Sequence, residues 1–472
     1  MEPKVILFDI AFLLGVPALI LAGLIIRPFK KFLMAVMCFS LCYPEQLSMN
    51  LMSREGYRMA TRGFELGLFD ICAIALFFIM VIQPRGHRFR WFPPLTIVYT
   101  VYIVTAIISW MLCPDKIHVP ADVYAANTAG GDTFYDYFET GLYPLFEISK
   151  IIRGAFAYLV VVNFLRDEEH FRTLIGALLI VAFVITFEAL VGRYIKGYHR
   201  ISATLGHPNS LGTFMGMMGT LMFGMALSKP TFMSSGTFAM ATAGALVSVL
   251  LTISRGALSS LVLGLWMDVS ALFHRYLNIK NFTILFFGSL VALGLFFVAA
   301  DTLSARFLVQ QDAVSDIEYR GLYNQEAKLM AQDHAFGVGL GNFSTYSWIK
   351  YGPAVKLNEY GTPAHNLWYL TLGELGVPGL IAFIFFWLRF YSIGLPFLFR
   401  RRRDLIYAVA ASATAASMIG HIQNMLQLSY RQTSIYMFNQ ILIGLVVAAW
   451  YIDRDTRRAE RNARRLARSS AA

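Results

Sequence analysis

Leu174-Ile-Gly-Ala-Leu-Leu-Ile-Val-Ala-Phe-Val-Ile-Thr-Phe-Glu-Ala-Leu-Val191 decides the fold class. A helix rises about 1.5 Å per residue, so about 20 apolar residues carry it across the hydrocarbon of a bilayer. This stretch comes within a few residues of that length, and it has many counterparts. On its N-terminal side they run Leu7 to Ile26, Phe32 to Tyr43, Leu66 to Ile82, Leu95 to Leu112 and Ile151 to Leu165. On its C-terminal side they run Leu211 to Leu227, Thr237 to Ile253, Ala257 to Phe273, Phe282 to Ala300, Asn366 to Phe399, Leu405 to Ile422 and Ile435 to Tyr451. Phe32 to Tyr43 is short for a span, so the expected fold is an all-α polytopic membrane protein with 12–13 transmembrane helices. Asn366 to Phe399 exceeds one span and contains Gly376, Pro378 and Gly379, which predicts a kinked or re-entrant first part.

Composition agrees. With 472 residues, 57% hydrophobic content, a mean hydropathy of +0.56 and only 15% charged residues, the chain lies outside the range of soluble globular proteins. Lys and Arg collect in short clusters: Arg27/Lys30/Lys31, Arg85/Arg88/Arg90, Arg166/Arg172, Arg275/Lys280, Arg400 to Arg403, and the tail from Arg454 to Arg468. Threading the spans puts all of these on one side, which the positive-inside rule makes cytoplasmic. The C-terminus is then inside, the N-terminus outside, and the net charge of +11 is topogenic, with membrane lipid rather than nucleic acid as the expected partner. The first apolar stretch follows Glu2, contains Asp9 and lacks a small-residue cleavage site, so it is expected to be retained. Cys38, Cys42, Cys72 and Cys113 form no CxxC pattern, so neither a disulfide framework nor a metal site is expected, and no cofactor.

Three sizeable segments fall outside: Pro44 to Glu65, Cys113 to Lys150 and Asp301 to His365. The second is acidic and aromatic, a composition that suits packing over the helices better than sugar binding. The third is expected to hold short helices, one of them Tyr319 to Gln332.

Charges near a membrane are retained where they are paired, solvated or used. Arg200 sits in the turn-rich Tyr198-His-Arg-Ile-Ser-Ala-Thr-Leu-Gly-His-Pro-Asn209, Arg255 at the tight junction Thr252-Ile-Ser-Arg-Gly-Ala257, and Arg320 on the expected loop helix. Guanidinium groups present forked donors that match phosphate oxygens, so several together would make a diphosphate site. Lipid-headgroup contact or pairing with Asp and Glu is the alternative reading of each. Further on, Gly361-Thr-Pro-Ala-His-Asn-Leu-Trp368 places His365 and Asn366 where a loop enters an apolar helix. Histidine is a general base near neutral pH, though a lone one is more often structural. Gly337-Val-Gly-Leu-Gly-Asn-Phe343 is a turn able to approach a ligand closely, and without a preceding strand or a Lys it is not a P-loop.

Taken in order, Arg200 with Gly206-His-Pro-Asn209, Ser254-Arg-Gly256, Arg320 with Ala335-Phe-Gly-Val-Gly-Leu-Gly-Asn-Phe343, and His365-Asn366 through Glu374-Leu-Gly376 resemble the bacterial O-antigen ligase and O-antigen polymerase superfamily. The resemblance covers roughly residues 190 to 400. It implies a membrane glycosyltransferase that moves a glycan en bloc from undecaprenyl diphosphate to a glycan or lipid A core acceptor at the periplasmic face of the bacterial inner membrane, and with no Asp-x-Asp or His/Cys cluster of metal spacing in the matching region the reaction is expected to be metal-independent. It implies His365 as the catalytic base and Arg255, Arg320 and Arg200 as the diphosphate ligands. Asn366, Asn209, Gly339, Gly341 and Glu374 would support them. Under it the chain divides into N-terminal helices 1–190, a catalytic membrane region 191–400 with the periplasmic loop 301–365, C-terminal helices 401–452 and a basic tail 453–472. The family's usual twelve spans with both termini inside differ from the reading above in the first two segments. A Wzy-type repeat-unit polymerase is the alternative within the class. A transporter of polysaccharide or lipid-linked oligosaccharide is the rival outside it, and the repeated halves with broken helices common in transporters are not evident here.

Overall fold

The helix from Pro208 to Ser228 carries glycine at 212, 216, 219 and 224, and the bundle is built around it. Lipid tails are as apolar as leucine, so helices associate in a membrane by close packing, which small residues permit. A Cβ at Gly212 would fall 2.5 Å from that of Ala257, and one at Gly219 would fall 2.9 Å from that of Ala245. The two neighbouring helices therefore lie almost backbone to backbone with this one.

The computed structural model describes residues 10–26, 28–44, 46–57, 60–83, 88–113, 141–228, 230–276, 279, 283, 313–356, 362–400, 402, 404–426 and 432–469. The expected span Phe282 to Ala300, the acidic aromatic stretch at 114–140 and the first part of the largest loop, 301–312, lie outside these residues. The helices are α1 (Val16–Ile25), α2 (Phe29–Phe39), α3 (Leu68–Ile82), α4 (Thr96–Met111), α5 (Tyr143–Phe164), α6 (Glu168–Leu190) and α7 (Pro208–Ser228). They continue with α8 (Ser235–Leu251), α9 (Arg255–Tyr276), α10 (Ala313–Asp333), α11 (Leu367–Phe399), α12 (Leu405–Leu426) and α13 (Thr433–Ser469). Among the described residues five helical segments are long and apolar enough to cross a membrane: Glu168–Ile195, Pro208–Ser228, Leu367–Phe399, Leu405–Leu426 and Thr433–Arg464. The fold is all-α and polytopic, as the composition requires. α7 packs against α8, α9 and α12, α13 against α5 and α12, and α11 against α4, α10 and α12.

Three local expectations change. The stretch Pro44 to Glu65, read only as a loop, contributes most of a hairpin, β1 (Ser48–Tyr57) and β2 (Ala60–Gly67), paired antiparallel from Ser48 opposite Gly67 to Tyr57 opposite Ala60. The loop expected to run to Lys150 gives way to α5 at Tyr143. Its early charges are accommodated in pairs, Lys150 with Glu147 at 3.2 Å and Arg153 forked onto Asp70 at 2.8 and 2.7 Å. The last span does not stop at Tyr451 but runs on to Ser469, because Ala, Arg and Glu favour continued helix.

The kink expected in α11 is present at Gly376, whose φ of 66° no β-carbon would tolerate easily. The break and the missing N–H of Pro378 leave the carbonyls of Gly373 and Glu374 without their helical donors. The glycine turn replaces them: Val338 N–H donates to Gly373 O at 3.1 Å and Gly339 N–H to Glu374 O at 2.9 Å, with Ser109 Oγ also on Glu374 O at 2.9 Å. The approach is so close that a Cβ at Gly337 would sit 2.3 Å from the Glu374 carbonyl carbon.

Cross-links between elements sort the loops into two ends of the bundle. At one end Arg90 stacks on Tyr451, Arg400 meets Asp453, and Lys31 meets Glu169. At the other lie the starts of α5, α7, α9, α11 and α13, the hairpin, α10 and the glycine turn.

Candidate functional site

α10 is amphipathic, burying Tyr323, Glu326, Ala327 and Met330 at helical spacing against Val338, Phe343, Tyr346 and Leu370. Its Tyr323 ring lies face to face with His365, centroids 6.0 Å apart and planes at 24°. Arg320 is one turn earlier on α10 and donates to the carbonyl of Leu426 at the end of α12, 3.3 Å away. The sequence reading put Arg320 at the start of this helix; it lies about two turns in.

His365 is half-buried, and its Nδ1 is 3.1 Å from the carbonyl oxygen of Pro363. A carbonyl only accepts, so in the neutral imidazole Nδ1 carries the proton and the basic lone pair resides on Nε2. Asn366 caps α11, its Oδ1 accepting from the N–H groups of Trp368 and Tyr369 at 2.9 and 3.4 Å. The imidazole thus projects from a pinned helix start.

Arg200 and Asn209 form a second group. Arg200 donates through Nε to Thr252 O at 3.1 Å and through Nη2 to Asn209 Oδ1 at 2.9 Å, which ties the turn before α7 to the junction of α8 and α9. In that junction Ile253 has a φ of +53°, a conformation a β-branched residue adopts only under strain of about 1–3 kcal/mol. The strained turn lets Ser254 accept from Ala257 N–H and sets Arg255, exposed, at the first position of α9. The two groups share a neighbour, the connection between α12 and α13: Arg320 reaches Leu426 at one side, and the Gln432 side chain donates to Leu205 O at the other. Gly339, Gly341 and Glu374 form a third group on the side of α11 that faces α4 and α5, where the turn makes its close approach to helix backbone.

None of α7, α9, α11 and α13 carries an acidic residue in its first turn, and all four begin at this end. A helix N-terminus carries about half a positive charge, and the exposed Arg255 at the first position of α9 adds a full one. The electrostatics favour a ligand with several negative charges.

Residues 238–384 match a family model described as O-antigen ligase. That match supports membership of the O-antigen ligase superfamily. The matched residues run from the first turn of α8 to the middle of α11 and hold Arg255, Arg320, the glycine turn and His365, while Arg200 and Asn209 precede them. A comparison with curated proteins gives no match. Together with the apolar helices, the match suggests a multi-pass membrane protein with an O-antigen ligase-like function of glycosyltransferase type, a class whose substrates in general are lipid-linked glycans and polysaccharide acceptors.

Two residues of this ligase region and its surroundings escaped the sequence reading. Glu326 is fully buried on α10, accepts from Ser347 Oγ at 2.9 Å, and is pushed up by burial to about 8. On an amphipathic helix its letter reads as a solvent-facing charge. His421 on α12 stacks on Trp387 with centroids 3.9 Å apart, accepts at Nε2 from Trp368 Nε1 at 3.0 Å, and pairs through Nδ1 with Tyr391 at 2.7 Å. It anchors the first turn of α11 two residues after Asn366. A histidine inside a span was its signal. Two nearby histidines are held in local roles: His207 Nδ1 accepts from Asn209 N–H at 3.1 Å, and His334 packs edge-on against Tyr346, its basicity lowered by burial and by Lys350.

Proposed function

We propose that the protein transfers a glycan en bloc from undecaprenyl diphosphate to an acceptor hydroxyl, as an O-antigen ligase-like, metal-independent enzyme of surface polysaccharide biosynthesis. In the step envisaged, Nε2 of His365 takes the proton of the acceptor hydroxyl as that oxygen attacks the anomeric carbon. The bond from the anomeric carbon to the diphosphate oxygen breaks, and the departing lipid diphosphate keeps the electron pair. Arg255 and Arg320 neutralise the charge gathering on it, with Arg200 and the helix N-termini behind them. Asn366 and Asn209 hold the two elements that carry these groups.

The observation that carries this reading is the stack of Tyr323 on His365 with Arg320 one turn away: a base with its lone pair on Nε2 beside a cation on the same surface. In bacteria, periplasmic exposure of this end follows from the positive-inside reading of the opposite one.

The test is transfer by the purified protein in lipid nanodiscs, supplied with an undecaprenyl-diphosphate glycan and either a lipid A core acceptor or a second lipid-linked repeat. The expected result is transfer by the wild type that survives chelation of divalent metal and drops by about 10²–10⁴ in His365→Ala. Undiminished transfer by His365→Ala would sink the mechanism. Product formed only on the lipid-linked repeat would assign a polymerase, and movement of the donor across the bilayer without a new glycosidic bond would assign a transporter.

A further inference from the structure

Between α4, α5, α11 and α13 a cavity of about 110 Å3 opens beside the start of α11, on the side away from α10. A water needs roughly 10–15 Å3 of such space, so it has room for roughly seven to eleven waters, the scale of one small ring rather than a chain of them. Leu367, Leu370 and Thr371 line it, and at about 1.5 Å per residue they bring it within roughly 10 Å of His365 along the helix axis. Its walls include the rings of Tyr102 and Trp387, and its polar lining includes Glu147, Lys150, Glu374 and Asn439.

The lining discriminates among ligand classes. A hydrocarbon chain would leave three ionisable side chains facing it, at several kcal/mol of lost solvation. A phosphate would meet two carboxyl groups and one ammonium, and that ammonium already lies 3.2 Å from both oxygens of Glu147. A hydroxylated ring fits all of it: carboxyl and amide oxygens accept from hydroxyls, Lys150 and Asn439 donate to them, and aromatic faces take the apolar C–H side. The arginine set, by contrast, is suited to anions.

We propose that this cavity binds one neutral or amino-bearing pyranose ring of a glycan substrate, a ring of the acceptor or of the donor set back from the bond that forms. The inference rests on the reading that glycans are the substrates, and it adds where a sugar is recognised.

The probes are methyl β-D-glucopyranoside and methyl β-D-glucosaminide, titrated onto the full-length protein in nanodiscs and followed by saturation-transfer NMR and tryptophan fluorescence. Saturable binding to the wild type is expected, about tenfold weaker in Glu374→Gln through one lost charged hydrogen bond and in Trp387→Leu, and unchanged in His365→Ala. Tyr102→Phe keeps the ring and the packing and removes one hydroxyl, so it stands in should Trp387→Leu fail to fold. No saturable binding by the wild type overturns the proposal. So does equal binding by wild type, Glu374→Gln and Tyr102→Phe, or a bilayer lipid that co-purifies with the wild type and is lost from Trp387→Leu. In the transfer assay, a raised KM for acceptor in Glu374→Gln assigns the ring to the acceptor, and a raised KM for donor assigns it to the donor. Transfer with neither KM moved rejects the cavity while leaving the function standing, and glycoside binding without transfer does the reverse.

Discussion

At the Arg400 end of the bundle arginines meet carboxylates, whereas at the His365 end Arg320 and Arg200 meet carbonyl and amide oxygens. Arg400 reaches Asp453 at 2.5 Å, Arg402 reaches Glu460 at 3.1 Å and Arg172 reaches Glu168 at 2.6 Å. Arg320 donates instead to Leu426 O, and Arg200 to Thr252 O and Asn209 Oδ1. A carbonyl orients a guanidinium and leaves its charge, while a carboxylate cancels it. Arginines of one letter thus serve to anchor one end and to attract anions at the other. Arg153, locked by Asp70 and Glu65, departs from this at the His365 end and is structural, as are Lys150 on Glu147 and Lys350 on Asp333.

The contrast can be broken. Its largest expected effect is on catalysis: Arg320→Ala and Arg255→Ala lower transfer by about 10²–10³ while the thermal midpoint in nanodiscs stays near that of wild type. A matched loss of midpoint would make these arginines structural after all. Next comes the fold of the His365 end. Gly376→Ala puts a Cβ 2.0 Å from Ala335 O at a left-handed φ, and is expected to destabilise by several kcal/mol, read as loss of folded protein on size-exclusion. At the opposite end Arg400→Ala removes one of two cations from the buried Asp453 and is expected to lower stability by about 1–3 kcal/mol, with transfer per folded molecule unchanged. Arg402→Ala, an exposed pair, should change stability by about 0–1 kcal/mol.

Proton linkage sharpens the same comparison. Burial raises Glu326 from 4.5 to about 8, so the folded chain keeps a proton that the unfolded chain has released. Its contribution to stability is full below about pH 4.5 and is lost as pH rises to about 8. Glu326→Gln is neutral throughout, so its midpoint is expected to fall less than that of wild type between pH 5 and 8.5. Parallel curves would mean that Glu326 is solvated.

The spans were legible because a bilayer demands a long apolar run, and α4, α7 and α12 begin and end within a few residues of their expected limits. The kink was legible too, since Gly376 and Pro378 have few other uses inside a helix. What its carbonyls would bond to was not: the partner turn lies over thirty residues upstream, and Gly-Val-Gly-Leu-Gly reads as readily as a ligand loop. The hairpin Ser48–Gly67 lacks the alternation that marks a strand. Glu326 and His421 were hidden for a common reason, that burial depends on the partner surface and not on the letter. His365 was singled out by its resemblance; its Nδ1 proton and its Tyr323 stack came only with the fold.

The repair of the α11 kink has a consequence for how such a chain can diverge. The position of His365 is set from below, by the bonds that stitch residues 338 and 339 to 373 and 374, and from the side by α10, which Phe343, Tyr346 and Ser347 hold in place. Substitutions outside those contacts leave the histidine in its place. New acceptors can be tried by altering one loop, without rebuilding the chemistry.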